Sequence, residues 1–431
     1  SSPSACGSQV SIGFPVSIMR DAVEVRLLVY SIAGERIMKL SLAASLVLKD
    51  VKQCVEDERS IPIFRQRMLM GHEEIADAEV LGNLSNLALT LVVLPYCEDV
   101  AVNNELLVAT LADNVVTAEA LLRVPVFPDS CDEDGTTPLI IASRRGSLPM
   151  AQLLLEAGAQ KDLARADGTT PLLAASHQGH LDVVRLLSET LADVNAAHQT
   201  GATPLYIAAL EAHVDVMRVL CEAAANVDLA CHTGATPLFI AAARGHREAA
   251  KMLCEAKADL DRPHQTGATP MYIASADGHA EVVTCLCDAS ANLDKSNLTG
   301  ATPLHIAAQH GHDEVVRLLC ASAARLEVHS RNAATALYLA SQQGHVHVVQ
   351  SLCEARASTC SASETGAVPL HIAAANGHLD VVQFLCSVSR EEMERRTQTG
   401  RTPLFVASES GHCDVVRFLC EVGACTDVVS G

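Results

Sequence analysis

The chain has 431 residues, a formal charge of -20 and a hydrophobic content of 49%, so it is long for one compact core and too apolar for a disordered polymer. Twelve aromatic residues and no Trp, set beside that acidity, argue against nucleic acid as a partner. Phosphate backbones need a basic surface, and single-stranded bases need aromatic platforms.

In chain order, residues 1–23 are Ser-rich and aperiodic, which predicts a flexible lead-in without a signal peptide's basic start and apolar stretch. No apolar run approaches the roughly 18–20 residues that span a bilayer, so membrane insertion is not expected. A chain that opens on Ser1 and ends on an apolar repeat reads as part of a longer product. Residues 24–96 form a separate segment. VRLLVY (25–30) and RIMKLSL (36–42) alternate like strands around Ala33-Gly34, and LVLKDVKQCVEDER (46–59) has helical spacing through Val47, Val51 and Val55. IPIFRQRMLM and LTLVVL (89–94) read as further strands. Strand, strand, helix, strand, short turn, strand is the order of a small α+β β-grasp domain. Through Ile61-Pro62, Gln66-Arg67-Met68-Leu69 and Leu91-Val92-Val93-Leu94 the segment resembles the ubiquitin-like family. That resemblance implies an apolar recognition patch at Ile32, Leu69 and Leu94, residues that serve equally well as ordinary sheet positions. The family's terminal Gly pair is absent, because Leu94 runs into Pro95-Tyr96-Cys97, which implies a built-in module rather than a conjugated modifier.

Residues 97–131 read as a linker and a capping half-repeat, with two short amphipathic helices in 103–127. From 132 to 431 a phrase close to G-A-T-P-L-x-I-A-A recurs every 33 residues. Its threonines are Thr137, Thr170, Thr203, Thr236, Thr269, Thr302 and Thr335; Val368 takes the eighth place, and Thr402 the ninth after a one-residue insertion. A fixed period means stacked units rather than one core. The phrase is a helix-start device: a turn Gly, a capping Thr, a Pro at the first helical position and a packed Leu. A second helix opens with an acid at Asp182, Asp215, Glu248, Glu281, Glu314, Asp380 and Asp414, where the helix dipole favours it. With the consensus D-x-x-G-x-T-P-L-H-x-A-A-x-x-G-H, this array resembles the ankyrin-repeat family. The fold expected is a mainly α ankyrin-repeat solenoid, one capping repeat plus nine repeats, behind the β-grasp domain.

The departures from the pattern carry the specific expectations. The His after T-P-L survives at His305 and His371, whereas Tyr206, Phe239, Tyr272, Tyr338 and Phe405 replace it elsewhere. These aromatics either form a partly exposed ladder or, the favoured reading, pack against the preceding repeat's first helix. Ala333 replaces the turn Gly, Ala336 the Pro and Val368 the capping Thr, and SREEMERR (389–396) adds a residue, which predicts a weak joint around repeats seven to nine.

Sixteen cysteines do not form a disulfide framework. Cys221, Cys254, Cys287, Cys320, Cys353 and Cys386 are each 33 apart, with Cys420 next, so they are one position of the second helix repeated. Neighbouring copies sit about 8–10 Å apart, beyond disulfide reach. Small buried apolar residues in a reducing compartment, cytoplasmic or nuclear, are the expectation. Cys285 and Cys287 are two apart, and only Cys287 is in register. The histidines repeat too (His180, His213, His246, His279, His312, His345, His378, His412), and none of the spacings is that of a zinc site. No catalytic motif is present, so neither an enzyme nor a cofactor is expected.

The function expected is a non-enzymatic scaffold that binds a protein on the concave face. Its variable residues are Arg144, Arg145, His177, Gln178, Leu210, Glu211, Arg244, Asp277, Gln309, His310, Gln342 and Gln343, beside the aromatics. Residues 101–431 carry 22 basic against 38 acidic side chains, which steers toward basic or neutral partners. Two other expectations remain open. One is an adaptor that links cargo to ubiquitin receptors or proteasome subunits through residues 24–96. The other is the regulatory arm of a larger enzyme.

Overall fold

The computed structural model describes residues 9–13, 24–31, 36–43, 52, 66–70, 73–74, 88–93, 100–124 and 126–425. The chain divides into two compact units, Ser1–Gln199 and Thr200–Gly431.

In the first unit β1 (Gln9–Gly13), β2 (Glu24–Ser31), β3 (Arg36–Ala43), β4 (Gln66–Met70), β5 (Glu73–Glu74) and β6 (Ala88–Val93) form one sheet in the order β3-β2-β1-β6-β4-β5. The paired neighbours are antiparallel, and a bulge between Val29 and Tyr30 shifts the β2–β3 register. β2, β3, β4 and β6 overlie segments read as strands. β1 falls inside the segment read as a flexible lead-in and stands between β2 and β6. Five residues carry too few alternations to register as a period among serines. Of the helix expected at 46–59, Lys52 is helical and the rest lies outside the described residues.

The same unit holds the capping pair, helices Val100–Leu111 and Val115–Arg123, and two repeats, Pro138–Arg145 with Leu148–Glu156 and Pro171–Gln178 with Leu181–Glu189. The capping pair lacks the T-P-L phrase, and Asn114 replaces its Thr by accepting from the Thr117 N–H at 3.1 Å. Leu106, Leu122, Leu139, Ile140 and Met150 are fully buried, each side chain contributing about 2 kcal/mol by leaving water.

The second unit is seven further helix pairs, from Pro204–Leu210 with Val214–Glu222 to Pro403–Glu409 with Cys413–Glu421. Thr236 shows the start device at work: its Oγ accepts from the Phe239 N–H at 3.1 Å, and Pro237 needs no partner for a missing N–H. Leu238, Ala241 and Ala242 behind it are completely buried. The first helices run seven or eight residues, too short to stand alone, so stacking of first helix on first helix and second on second stabilises them.

Two hydrogen-bond ladders, one backbone to backbone and one backbone to side chain, tie neighbouring repeats within each unit. At the hairpin tips one repeat donates an N–H to the carbonyl of the repeat before it: His232 to Thr200 (2.9 Å), Gln265 to Thr233 (3.2 Å), Leu298 to Thr266 (3.0 Å) and Arg331 to Thr299 (3.0 Å). After the second helices a side-chain carboxylate accepts a backbone N–H from 31 residues on. Asp129 holds Gln160, Asp162 holds Asp193, Asp228 holds Asp259, Asp294 holds Arg325 and Glu327 holds Ser358, at 2.7–2.9 Å. A share of the chain's acidity is thus structural, at a position distinct from the helix-start acid.

The joint expected near repeats seven to nine closes by substitution of parts. Helix Ala336–Gln343 starts on schedule without its Pro, because Thr335 Oγ still accepts from Tyr338 N–H (3.3 Å). Ala333 keeps the turn at a left-handed φ of 53°, a conformation that costs a residue with a Cβ about 1 kcal/mol. Val368 offers no hydroxyl, and His371 Nδ1 accepts the Val368 N–H at 3.3 Å, as His305 Nδ1 accepts the Thr302 N–H at 3.2 Å. The inserted residue is absorbed in a 3-10 turn, Arg390–Glu394, which buries Met393 and Glu392. Burial raises the Glu392 carboxyl above its usual range, and Arg395 opposes the rise only in part.

Candidate protein-binding surface

Most first helices end in a left-handed Gly followed by His (repeat one has Gly146-Ser147 and repeat three Ala212-His213), and the structure gives both residues one purpose. The ring of His180 reaches back to the carbonyl of Arg144 in the previous repeat (Nε2···O 3.1 Å). In the second unit His246 reaches Leu210, His279 reaches Ala243, His312 reaches Ala276, His345 reaches Gln309 and His378 reaches Gln342, all at 2.9–3.1 Å. Those carbonyls are orphans at a helix C-terminus, and the imidazole N–H satisfies them. Gly278 has a φ of 77°, and a Cβ there would lie 2.6 Å from the His312 ring, so the position excludes a side chain for two reasons at once.

The residues just before each Gly are where variation meets solvent. In the first unit Arg144, Arg145, His177 and Gln178 are exposed. In the second, Glu211, Arg244, Asp277, Gln309, His310 and Gln343 are exposed, whereas Leu210 and Gln342 are half-buried. His310 is also a hydrogen-bonding residue: its Nδ1 lies 2.7 Å from the Ala276 carbonyl that His312 contacts, with the two rings edge to face at 6.0 Å. Spacing alone sets these two on different faces, but the turn at Gly311 brings them back to one acceptor. At the tips the polar side chains mostly serve the turn itself. Asn297 Oδ1 accepts from Thr299 and Ala301 N–H groups (2.9 and 3.0 Å), while Leu298 stands 59% exposed.

The aromatics of repeats three to five pack forward, onto the first residue of the following repeat, where the expectation had the preceding first helix. Phe239 stacks on His264 with centroids 5.1 Å apart, Asn297 Nδ2 donates to Tyr272 Oη at 3.1 Å, and Tyr206 and Cys231 pack against one buried cluster. The residue at this position points along the stack, toward the base of the next hairpin. His305 fills the same place by donating from Nε2 to the Ala334 carbonyl at 3.0 Å while Nδ1 faces Thr302. Phe239 is buried and Tyr206, Tyr272, Tyr338 and Phe405 are half-buried. Desolvation pushes the Tyr206 hydroxyl up to about 12, and also lowers the His305 and His371 imidazoles below their ordinary value.

Leu69 lies on β4, paired with Thr90 and Glu74; Ile32 and Leu94 lie outside the described residues. Cys131, Cys221, Cys231, Cys254, Cys285, Cys287, Cys320, Cys353, Cys360, Cys386, Cys413, Cys420 and Cys425 are free thiols. Of the recurring set Cys386 alone is buried; the others, expected inside, sit half-buried or exposed along the second helices. Among the described residues no three His, Cys, Asp or Glu side chains gather to hold a metal ion, and no helix is long and apolar enough to cross a membrane.

A family model described as ankyrin repeats matches residues 106–198, 190–264, 257–330 and 337–429, well over half the chain, and the chain belongs to the ankyrin-repeat family. Comparison with curated proteins gives no significant match. Repeats of this family are typically interaction modules that bind proteins rather than enzymes.

Proposed function

We propose that this protein is a non-enzymatic scaffold whose partner docks on the face formed by the first-helix ends and hairpin tips, the concave side of ankyrin arrays. What supports this reading is one observation. The structural positions of each repeat are buried or engaged with the next repeat, whereas the residues before the Gly-His turn vary and stay exposed. In the second unit that stripe runs Glu211, Arg244, Asp277, Gln309, Gln343, a mixed and polar series. Such a surface favours a partner read by hydrogen bonds and charge rather than by an apolar groove. Substituting Arg244→Glu, Asp277→Arg and Gln343→Arg together in the full chain, and comparing co-purifying proteins by mass spectrometry, tests it. Loss of specific partners supports the reading. Retention of them, with loss instead on Arg218→Glu and Lys251→Glu on the second helices, overturns it.

A second reading adds an adaptor role in ubiquitin–proteasome traffic through residues 24–96. What favours it is the order along the chain of β2, β3, β4, β5 and β6, which is that of a β-grasp domain; the sheet itself departs from that fold, with β1 between β2 and β6. Binding of the full chain to purified proteasome or ubiquitin receptors, compared with Leu69→Ala, is its measurement; no binding sinks it.

A further inference from the structure

Cysteines two residues apart on a helix point about 200° from each other. Cys287 is in register with the recurring cysteines and turns toward Ser322 of repeat six. Cys285, on the opposite side of the same helix (Ala280–Asp288), turns back toward repeat four. There, with Cys254 in the last turn of helix Arg247–Glu255, it lines one groove between the two packed helices. The positions equivalent to Cys285 are Val219, Met252, Leu318, Ser351, Phe384 and Phe418, so no other junction of these repeats sets two thiols face to face.

The pair is open to reagents. Both side chains are half-buried and line a groove of about 580 Å³ together with Arg247, Lys251, Glu281 and Thr284. The neighbouring Cys254 thiol is the main influence that lowers the Cys285 thiol below its ordinary value; burial and Asp288 oppose it, and Lys251 and Arg247 assist. Cys254 is driven the other way, first by the neighbouring Cys285 and then by burial. Cys285 thus gives up its proton more readily than Cys254, in a groove that two cations also line, the order expected of an attacking and a resolving cysteine.

We propose that Cys254 and Cys285 form a modification site for hydroperoxides, with Cys285 oxidised first and Cys254 closing an inter-repeat disulfide. The Cys285 thiolate attacks one peroxide oxygen; the O–O bond breaks, an S–O bond forms, and the departing alkoxide or hydroxide takes a proton. The Cys254 sulfur then attacks the sulfenic sulfur, its proton leaves with the hydroxyl as water, and the S–S bond forms. Two thiols are oxidised, and one hydroperoxide is reduced to an alcohol (or water) plus water. The bond joins the second helices of repeats four and five across the intervening hairpin and first helix.

Hydrogen peroxide is the probe, applied to the full chain and to its C254S and C285S variants, whose helical content is checked by circular dichroism. The expected result is a loss of two titratable thiols, a mass about 2 Da lower, and a Cys254–Cys285 linked peptide in a non-reducing digest. C254S is expected to accumulate a dimedone adduct on Cys285, and C285S to leave Cys254 reduced. A digest without that linked peptide overturns the proposal, and so does dimedone labelling of Cys285 no greater than that of Cys320 and Cys353. Should a variant fail to fold, the wild-type digest decides alone.

Discussion

Repeats four to six and repeats seven to nine are built to one plan, and only the first set follows it to the letter. In the first set the turn residue is Gly, the cap is Thr and the first helical residue is Pro. In the second, Ala333, Ala336 and Val368 replace one of each, and a 3-10 turn carries an extra residue. Yet Leu337, Leu370, Val348, Val349, Val381 and Val382 are as fully buried as Leu238, Leu304, Val282 and Val283. Apolar packing between neighbours therefore decides whether a repeat forms, while caps and turns set how firmly it is held. A missing cap costs about 1 kcal/mol, whereas an emptied Leu site costs about 2–5 kcal/mol.

The sharpest way to break the comparison is to empty the core at matched places. Leu253→Ala in repeat four and Leu352→Ala in repeat seven, both fully buried, are expected to lose about 2–5 kcal/mol each in urea unfolding. A much smaller loss at Leu352 would show repeat seven already loosened. Next in size, Gly278→Ala should cost about 2 kcal/mol, adding backbone strain to the collision with His312. Replacing His312 as well, by Ala, should recover only the steric share, which a double-mutant cycle reads directly.

Restoring the plan should act in the opposite direction. Ala333→Gly is expected to stabilise by about 1 kcal/mol, and Val368→Thr by somewhat less, because in the matching repeat the Thr302 hydroxyl meets the His305 ring (2.7 Å) rather than a helix N–H. Equal thermal midpoints for these variants and the wild type would dispose of both.

The smallest expected effect is on pH. His305 and His371 have folded values lowered by burial, so the unfolded chain binds protons more readily. Their contribution is complete above the unfolded value of about 6.5 and is lost as pH falls through the folded values. Glu392, raised by burial, has the reverse sign: it weighs against the fold at neutral pH and is relieved on acidification. Glu392→Gln should therefore stabilise at pH 7 and make the acid side of the stability profile fall more steeply. An unchanged profile would refute the assignment.

Much of this array was legible because a repeat states each residue many times. The Thr cap, the Pro start and the buried Leu could be read from one copy and checked against the others. Residues acting between repeats were harder to read, since a spacing of 31 or 36 mixes positions from two copies. The carboxylates at Asp228, Asp261 and Asp294 passed as surface charge, and the backbone N–H groups they hold carry no mark in the sequence. The forward packing of Tyr272 on Asn297 was missed for the same reason. Cys285 was visible as an off-register thiol, and only the facing helix shows what it meets. At the candidate surface the variable residues stood out as variation. That His310 is also engaged with Ala276 depends on a turn that no helical wheel includes.

The histidine that follows each Gly closes over the helix end of its neighbour, and this links the fates of the two positions. A mutation at one should be tolerated chiefly in lineages where the other has already changed. Duplication or loss of a whole repeat leaves every such pair intact, whereas a crossover inside a repeat can separate them. Ala212, at a φ of 60° where the other copies have Gly, shows that a mismatch can persist, since His246 still reaches Leu210 at 3.0 Å. Relatives of this chain should therefore differ from it in whole copies more readily than at either member of a pair.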